Sequence, residues 1–257
     1  MSEEMNEMVE GRREFFLAAL AATASTVVPG ALLHASGELK PKGGASAKVR
    51  WGMLVDVSKC AAGCTACVDA CNAENGLDLM KRPEGASQDL WDQQVPKWIR
   101  RVRVKDNLTG RISSLPIMCQ HCESPPCVDV CPTNASFRRA DGIVMVDRHT
   151  CIGCRYCMMA CPYKARSLVH QEVEVKRAST PRGKGCVESC NFCVHRLDNG
   201  KATTACQDAC AREGHHAILF GDINDPESPV SKALQNGPSR QLRADLKLNT
   251  GVRYASL

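Results

Sequence analysis

A chain of 257 residues with 33 Lys and Arg against 28 Asp and Glu has a formal net charge of +5; it is long enough for one large domain or two small ones without depending on cross-links. Aromatic residues make up only 4% while cysteines number 17, so something other than aromatic packing is expected to fill the centre. The positive balance does not point to a nucleic-acid partner, because no Lys/Arg block with interleaved aromatics is present and the count treats every cysteine as a neutral thiol.

In chain order, the first element is an address. Arg12 and Arg13 stand in GRREFFL, ahead of an apolar, small-residue stretch from Phe15 to about Leu33. This fits a twin-arginine export signal, with residues 1–47 as signal and linker; a short amphipathic helix is the alternative. Candidate cleavage sites follow His34-Ala35 and Ala45-Ser46-Ala47. A periplasmic location follows, with export in the folded state after cofactors are received in the cytoplasm. Beyond residue 50 no run of 18 apolar residues occurs, so the body is expected to be water-soluble.

The next segment, VDVSKCAAGCTACVDAC (Val55 to Cys71), holds a first quartet: Cys60, Cys64, Cys67 and Cys71. WIRRVRV and RISSLPI then flank KDNLTG, whose turn formers predict a β-hairpin near 97–118. A second quartet, Cys119, Cys122, Cys127 and Cys131, follows. The third, Cys151, Cys154, Cys157 and Cys161, lies in VDRHTCIGCRYCMMACP (Val146 to Pro162), which repeats the first segment with one residue fewer between its first two cysteines. HQEVEVK near residue 173 alternates like a short strand, followed by the loop ASTPRGKG. The fourth quartet is split as Cys190, Cys193, Cys206 and Cys210. Short helices are expected near Cys67, Cys127, Cys157 and Cys206. From Ile223 onward Pro, Asn and Gly occur without periodicity, which predicts a tail that wraps the surface or a partner.

Four quartets accounting for 16 of 17 cysteines point to iron–sulfur ligation, and the third has the bacterial ferredoxin pattern C-x2-C-x2-C-x3-C-P. Three cysteines at that spacing wrap a tight loop around one cubane, with backbone N–H groups aimed at its sulfurs. The fourth begins a helix and leaves in another direction, and in two-cluster ferredoxins it ligates the neighbouring cluster. Zinc does not call for a third Cys two residues on and a fourth three beyond it, and neighbouring cysteines at this spacing bridge poorly as disulfides. Cys60-x3-Cys64-x2-Cys67 resembles the radical S-adenosylmethionine signature, with one iron left open, but Cys71 completes that quartet. Four oxidised 4Fe-4S cores with thiolate ligands would offset about eight positive charges. Cys186 reads as a small buried residue near a site, or as a replacement for Cys190.

From about Trp51 to Val230 the chain resembles the four-cluster ferredoxin-like electron-transfer subunits found beside molybdopterin enzymes and quinone-reactive membrane subunits. The likeness is carried by CQHCESPPCVDVCPTNASFRRADGIVMVDRHTCIGCRYCMMACPYKARS, CNFCVHR and FGDINDPESPVSKAL. Within that family it looks most like the periplasmic iron–sulfur subunits of the membrane complex linked to dissimilatory sulfite reductase.

The resemblance implies four 4Fe-4S clusters with crossed ligation: Cys60, Cys64 and Cys67 with Cys210; Cys71 with Cys190, Cys193 and Cys206; Cys119, Cys122 and Cys127 with Cys161; Cys131 with Cys151, Cys154 and Cys157. It implies an α+β fold of two interleaved bacterial-type two-cluster ferredoxin modules with a β-hairpin insertion and an extended C-terminal tail. The outer module spans 48–118 and 182–225, the inserted one 119–181, and the tail 226–257. The family often has Pro where Ala211 follows Cys210, so the turn there is expected to be less constrained.

The implied partners are an integral membrane quinone-interacting subunit and a multihaem cytochrome subunit; the alternatives are the iron–sulfur subunit of a molybdopterin oxidoreductase and a self-contained iron–sulfur enzyme. No catalytic residues are expected, since no Ser-His-Asp order, phosphate-binding loop or dinucleotide fingerprint sits in a convincing context. Lys59, Arg155, Lys164 and Arg196 flank cysteines and read either as potential-raising cations or as solvated surface charge. His121 and His195 are expected beside the clusters rather than as ligands, His215 and His216 as a surface pair, and Tyr156 and Tyr163 as packing over clusters.

Overall fold

Cysteine loops interrupt the chain every few residues, which leaves room only for short elements, and the computed structural model, describing residues 45–174 and 177–257, is built of them. The twin-arginine segment and the candidate cleavage point after Ala35 lie outside the described residues; Ala45-Ser46-Ala47 is exposed. Strand β1 (Trp51–Asp56) leads through a 3-10 turn (Val57–Lys59) and the first cysteine loop into α1 (Ala66–Asn75), which Gly76 ends at φ +66°. Helix α2 (Gln88–Gln94) is capped by the Ser87 hydroxyl, which accepts from Leu90 N at 3.2 Å. Strands β2 (Arg100–Lys105) and β3 (Ile112–Ile117) pair antiparallel, closed by a turn in which Asp106 Oδ1 accepts the Leu108 N–H at 2.7 Å.

The middle of the chain holds α3 (Pro126–Asp129), β4 (Ser136–Arg138), β5 (Val144–Val146) and α4 (Tyr156–Ala160). Two-residue strands β6 (Ser167–Leu168) and β7 (Val187–Glu188) pair across the following excursion. Helices α5 (Val194–Asp198) and α6 (Ala205–Arg212) precede β8 (Ile218–Asp222), α7 (Pro229–Asn236), β9 (Ser239–Arg240) and β10 (Val252–Ala255).

One four-stranded sheet, in the order β8-β1-β10-β9, gathers strands from both ends of the chain. Strand β1 pairs antiparallel with β8, Met53 opposite Phe220, and parallel with β10, Met53 opposite Val252. Met53, Val55, Val252 and Tyr254 are fully buried. Three two-stranded ribbons complete the mixed α and β architecture. Among the described residues no helix is long and apolar enough to cross a membrane.

Two expectations are corrected here. The segment read as an extended tail supplies α7 and an interior strand of the sheet: VRYA is a four-residue alternation, too short to stand out, and its partner β1 is at the other end of the chain. The HQEVEVK alternation is not a strand over its described residues 170–174; pairing stops at Leu168. Alternation places side chains on two faces but supplies no neighbouring backbone, and without a neighbour no strand forms.

Candidate metal centres

Four helices begin one residue ahead of a cysteine: α1 before Cys67, α3 before Cys127, α4 before Cys157 and α6 before Cys206. A cysteine four residues further on lies about 6 Å along the axis on the same side, since each helical residue rises 1.5 Å. Cys67 and Cys71 are so placed on α1, and Cys206 and Cys210 on α6. Yet the two members of each pair open into different cavities. Cys60, Cys64, Cys67 and Cys210 wall one, called site I. Cys71, Cys190, Cys193 and Cys206 wall site II. Helices α1 and α6 pack together, and this crossing requires them to run in opposite senses.

The inner pair repeats the arrangement. Cys119, Cys122, Cys127 and Cys161 wall site III. At site IV, Cys131 and Cys151 are the charge neighbours of Cys157, with Cys154 on the same loop. Proline fixes the lengths of these helices: Pro132 and Pro162 follow Cys131 and Cys161, and α3 and α4 stop after four and five residues. No proline follows Cys71 or Cys210, and α1 and α6 run on for ten and eight residues. Ala211 is therefore helical rather than part of a turn; the turn comes at Gly214, where φ is +75°.

The residue before the second cysteine of every loop has positive φ: Gly63 (+78°), His121 (+44°), Gly153 (+70°) and Phe192 (+54°). This shared kink absorbs the extra residue of the first loop upstream of Gly63, in the turn closed by Cys64 N–H on Ala61 O at 3.3 Å. His121 and Phe192 hold a conformation that glycine would adopt at less cost, and their rings stack at 3.6 Å between centroids, joining the loops of sites II and III.

Sulfur atoms here receive hydrogen bonds. Ser136 N–H donates to Cys131 at 3.3 Å, Ala165 N–H to Cys161 at 3.5 Å, Ala217 N–H to Cys210 at 3.2 Å and Val187 N–H to Cys151 at 3.4 Å. Asn75 Nδ2 reaches Cys71 Sγ at 3.6 Å, and Arg166 Nη2 reaches Cys127 Sγ at 3.1 Å. Such donors stabilise negative sulfur. Burial opposes it: the Cys67 thiol is pushed up to about 11, those of Cys122 and Cys206 to about 12, and those of Cys71 and Cys190 well above the ordinary range. Cys131 goes the other way, because N–H donors from Ser136 and Thr133 outweigh its slight burial. Buried thiolates with aligned donors and insufficient countercharge match a cationic metal core.

Sites I, II and III are each walled by four cysteine side chains. A single zinc ion would draw four sulfurs to about 2.3 Å from one point. Among the described residues no group of three or more Cys, His, Asp or Glu side chains converges that way. All seventeen cysteines are free. Cys186 lies beside site IV, donating to Arg148 O at 3.3 Å and reaching Cys151 O at 4.0 Å.

Other expectations fare unevenly. His121 Nδ1 accepts from Val144 N at 3.0 Å, and burial keeps the ring neutral by lowering its pKa to about 3. His195 pairs with Glu74 at 2.6 Å. Neither histidine lines site I, II or III, but His215, read as surface, lines site I. Tyr163 is buried at site III, its hydroxyl donating to Leu242 O at 3.0 Å, whereas Tyr156 is 54% exposed. Lys59 is paired with Asp56, and Arg196 with Glu74 and Asp208, so neither is a free cation beside sulfur. Arg166 was missed altogether; in CPYKARS it looks like one more basic residue among small ones.

Residues 111–222 match the 4Fe-4S dicluster domain family. The chain is 37% identical to the Hdr-like menaquinol oxidoreductase iron–sulfur subunit 1 of Archaeoglobus fulgidus, over 96% of this chain and 98% of that one. It is 35% identical to Protein NrfC of Escherichia coli, covering 93% and 92% of the two chains. Similarity to the menaquinone reductase iron–sulfur cluster-binding subunit of Nitratidesulfovibrio vulgaris is 34%, over 81% of this chain and 89% of the relative.

Proposed function

Because this chain belongs to the 4Fe-4S dicluster family of iron–sulfur subunits, we propose that it is the electron-transfer subunit of a membrane-associated oxidoreductase complex, holding four 4Fe-4S clusters at sites I to IV. The sixteen cysteines named for those sites are the ligands, crossed between the two halves of each pair so that the modules interleave. When bound, such clusters supply one-electron, outer-sphere transfer. The protein's part is to hold the sulfurs, aim N–H donors at them, exclude water and leave contact points for partners.

One observation carries the direction of the wire. The five partly exposed cysteines of the sixteen are Cys60 and Cys64 at site I and Cys131, Cys151 and Cys154 at site IV; every cysteine of sites II and III is buried. Electrons therefore enter and leave through sites I and IV, with II and III between them, II touching III through the His121–Phe192 stack. The partners are an integral membrane quinone-interacting subunit and a multihaem cytochrome subunit on the periplasmic side, reached by twin-arginine export; two relatives bear menaquinol or menaquinone names. Sulfur metabolism, as in sulfite reductase-linked complexes, is the finer assignment, and co-purification of a molybdopterin subunit would replace it with the alternative.

Metal analysis tests the count. Anaerobically purified protein is expected to hold sixteen irons and equal acid-labile sulfide per chain, with four spins after full reduction. Markedly fewer irons, or zinc in their place, would refute it.

A further inference from the structure

Arg166 is buried, at 5% exposure, in a part of the molecule that gives it no carboxylate. An unpaired guanidinium in such a place is strongly unfavourable, and unlike lysine it does not escape by losing its proton. Its partners are sulfurs. Nη2 donates to Cys127 Sγ at 3.1 Å, Cys119 is a further charge neighbour, and both cysteines wall site III. Cys157, of site IV, is another charge neighbour of the same side chain. Nη1 is also buried and has no partner, although Arg166 lines the site III cavity. The guanidinium thus bonds a sulfur of one site, has a sulfur of the next as charge neighbour, and keeps one buried donor unpartnered beside the site III cavity.

We propose that Arg166 is a positioning residue that acts as the common countercharge of sites III and IV, raising the reduction potentials of both clusters. The inference rests on the four-cluster reading above. Reduction adds negative charge to a cluster that with its four thiolates is already anionic, so a fixed cation in a low-dielectric interior favours the reduced form, and salt screens it little. One cation beside both sites moves both potentials in the same direction. The other sites lack this device: Arg101 at site I is half-buried and spends a donor on Ser114 at 2.7 Å, and at site II Arg196 is held by carboxylates.

The test uses the full chain, purified anaerobically as wild type, Arg166→Lys, Arg166→Gln and Arg166→Met, with iron counted and the reduction steps followed by EPR-monitored titration. In Arg166→Met and Arg166→Gln two of the four steps are expected to fall at least tenfold in reduction equilibrium constant, about 59 mV for one electron. The other two stay in place, and Arg166→Lys remains within tenfold of wild type. Four unmoved steps in a fully loaded Arg166→Met protein, or an equal movement of all four, overturn the proposal. So does loss of iron in all three variants, which would assign Arg166 to building the site. A wild-type iron count below sixteen would instead sink the four-cluster reading on its own.

Discussion

A single backbone conformation recurs at the position before the second cysteine of each loop, and what occupies it decides how much substitution it tolerates. Gly63 has open space where a side chain would go, whereas a Cβ on Gly153 would stand 2.1 Å from Gly185 O. Gly63→Ala is expected to cost about 1 kcal/mol, the price of a left-handed alanine. Gly153→Ala must push the 183–187 segment away, and with it the Val187 N–H that donates to Cys151. Anaerobic iron counts should stay at the wild-type value for the first and fall by about one cluster for the second. Residue chemistry was the most legible layer of the sequence: sixteen cysteines declare themselves by spacing. Their division among cavities is not local information, because Cys67 and Cys71 differ by one helical turn and nothing nearby says they face different voids. Arg166 was illegible for a related reason, since the sulfur it hydrogen-bonds, on Cys127, lies 39 residues away and its neighbours are ordinary.

At the scale of elements, the first and last helices of the site are clamped by charge. Glu74 on α1 accepts from Arg196 on α5 through both carboxylate oxygens at 2.6 Å, and Arg196 also holds Asp208 on α6 at 2.7 Å. Arg196, with His195, holds the Glu74 carboxyl down to about 2. A depressed carboxylate contributes its stabilisation above its ordinary value near 4.5 and loses it as pH falls through the window from 4.5 to 2. Glu74→Gln is expected to lower stability by about 1–2 kcal/mol at pH 7. The gap from wild type is read from thermal bleaching of the cluster absorbance at pH 7, where the carboxylate's contribution is fully present, and Glu74→Asp should recover part of it. A second tie is buried: Glu188 on β7 accepts from Trp98 Nε1 at 3.0 Å and pairs with Arg182 at 2.9 Å, and Arg182 also reaches the Asn75 carbonyl. The hairpin of β2 and β3 could be seen in advance because its turn residues are local signals. These ties could not, because charge partners far apart in sequence leave no periodic trace.

For the molecule as a whole, the sheet matters more than its small size suggests. β10 lies between β1 and β9, and its Val252 and Tyr254 are fully buried, the Tyr254 hydroxyl donating to Pro116 O at 3.0 Å. Ending the chain at Gly251 removes that strand and leaves the backbone of β1 unpaired on one side. Sites III and IV draw their cysteines only from residues 119–161, whereas I and II need both flanks of the sheet. The truncated protein is expected to retain about eight irons, all in the inner pair; a full complement would show that β10 is dispensable. What the sequence concealed here was topology, since a parallel pairing between the two ends of a chain has no local signature.

The position of β10 also sets a timetable for manufacture. Until residues 248–255 have been made, β1 lacks its parallel neighbour, and the site III loop lacks the Leu248 carbonyl that accepts from Glu123 N–H and the Thr250 bridge to Cys122. Both pairs of cysteine sites thus gain their finished walls only once this segment has been synthesised.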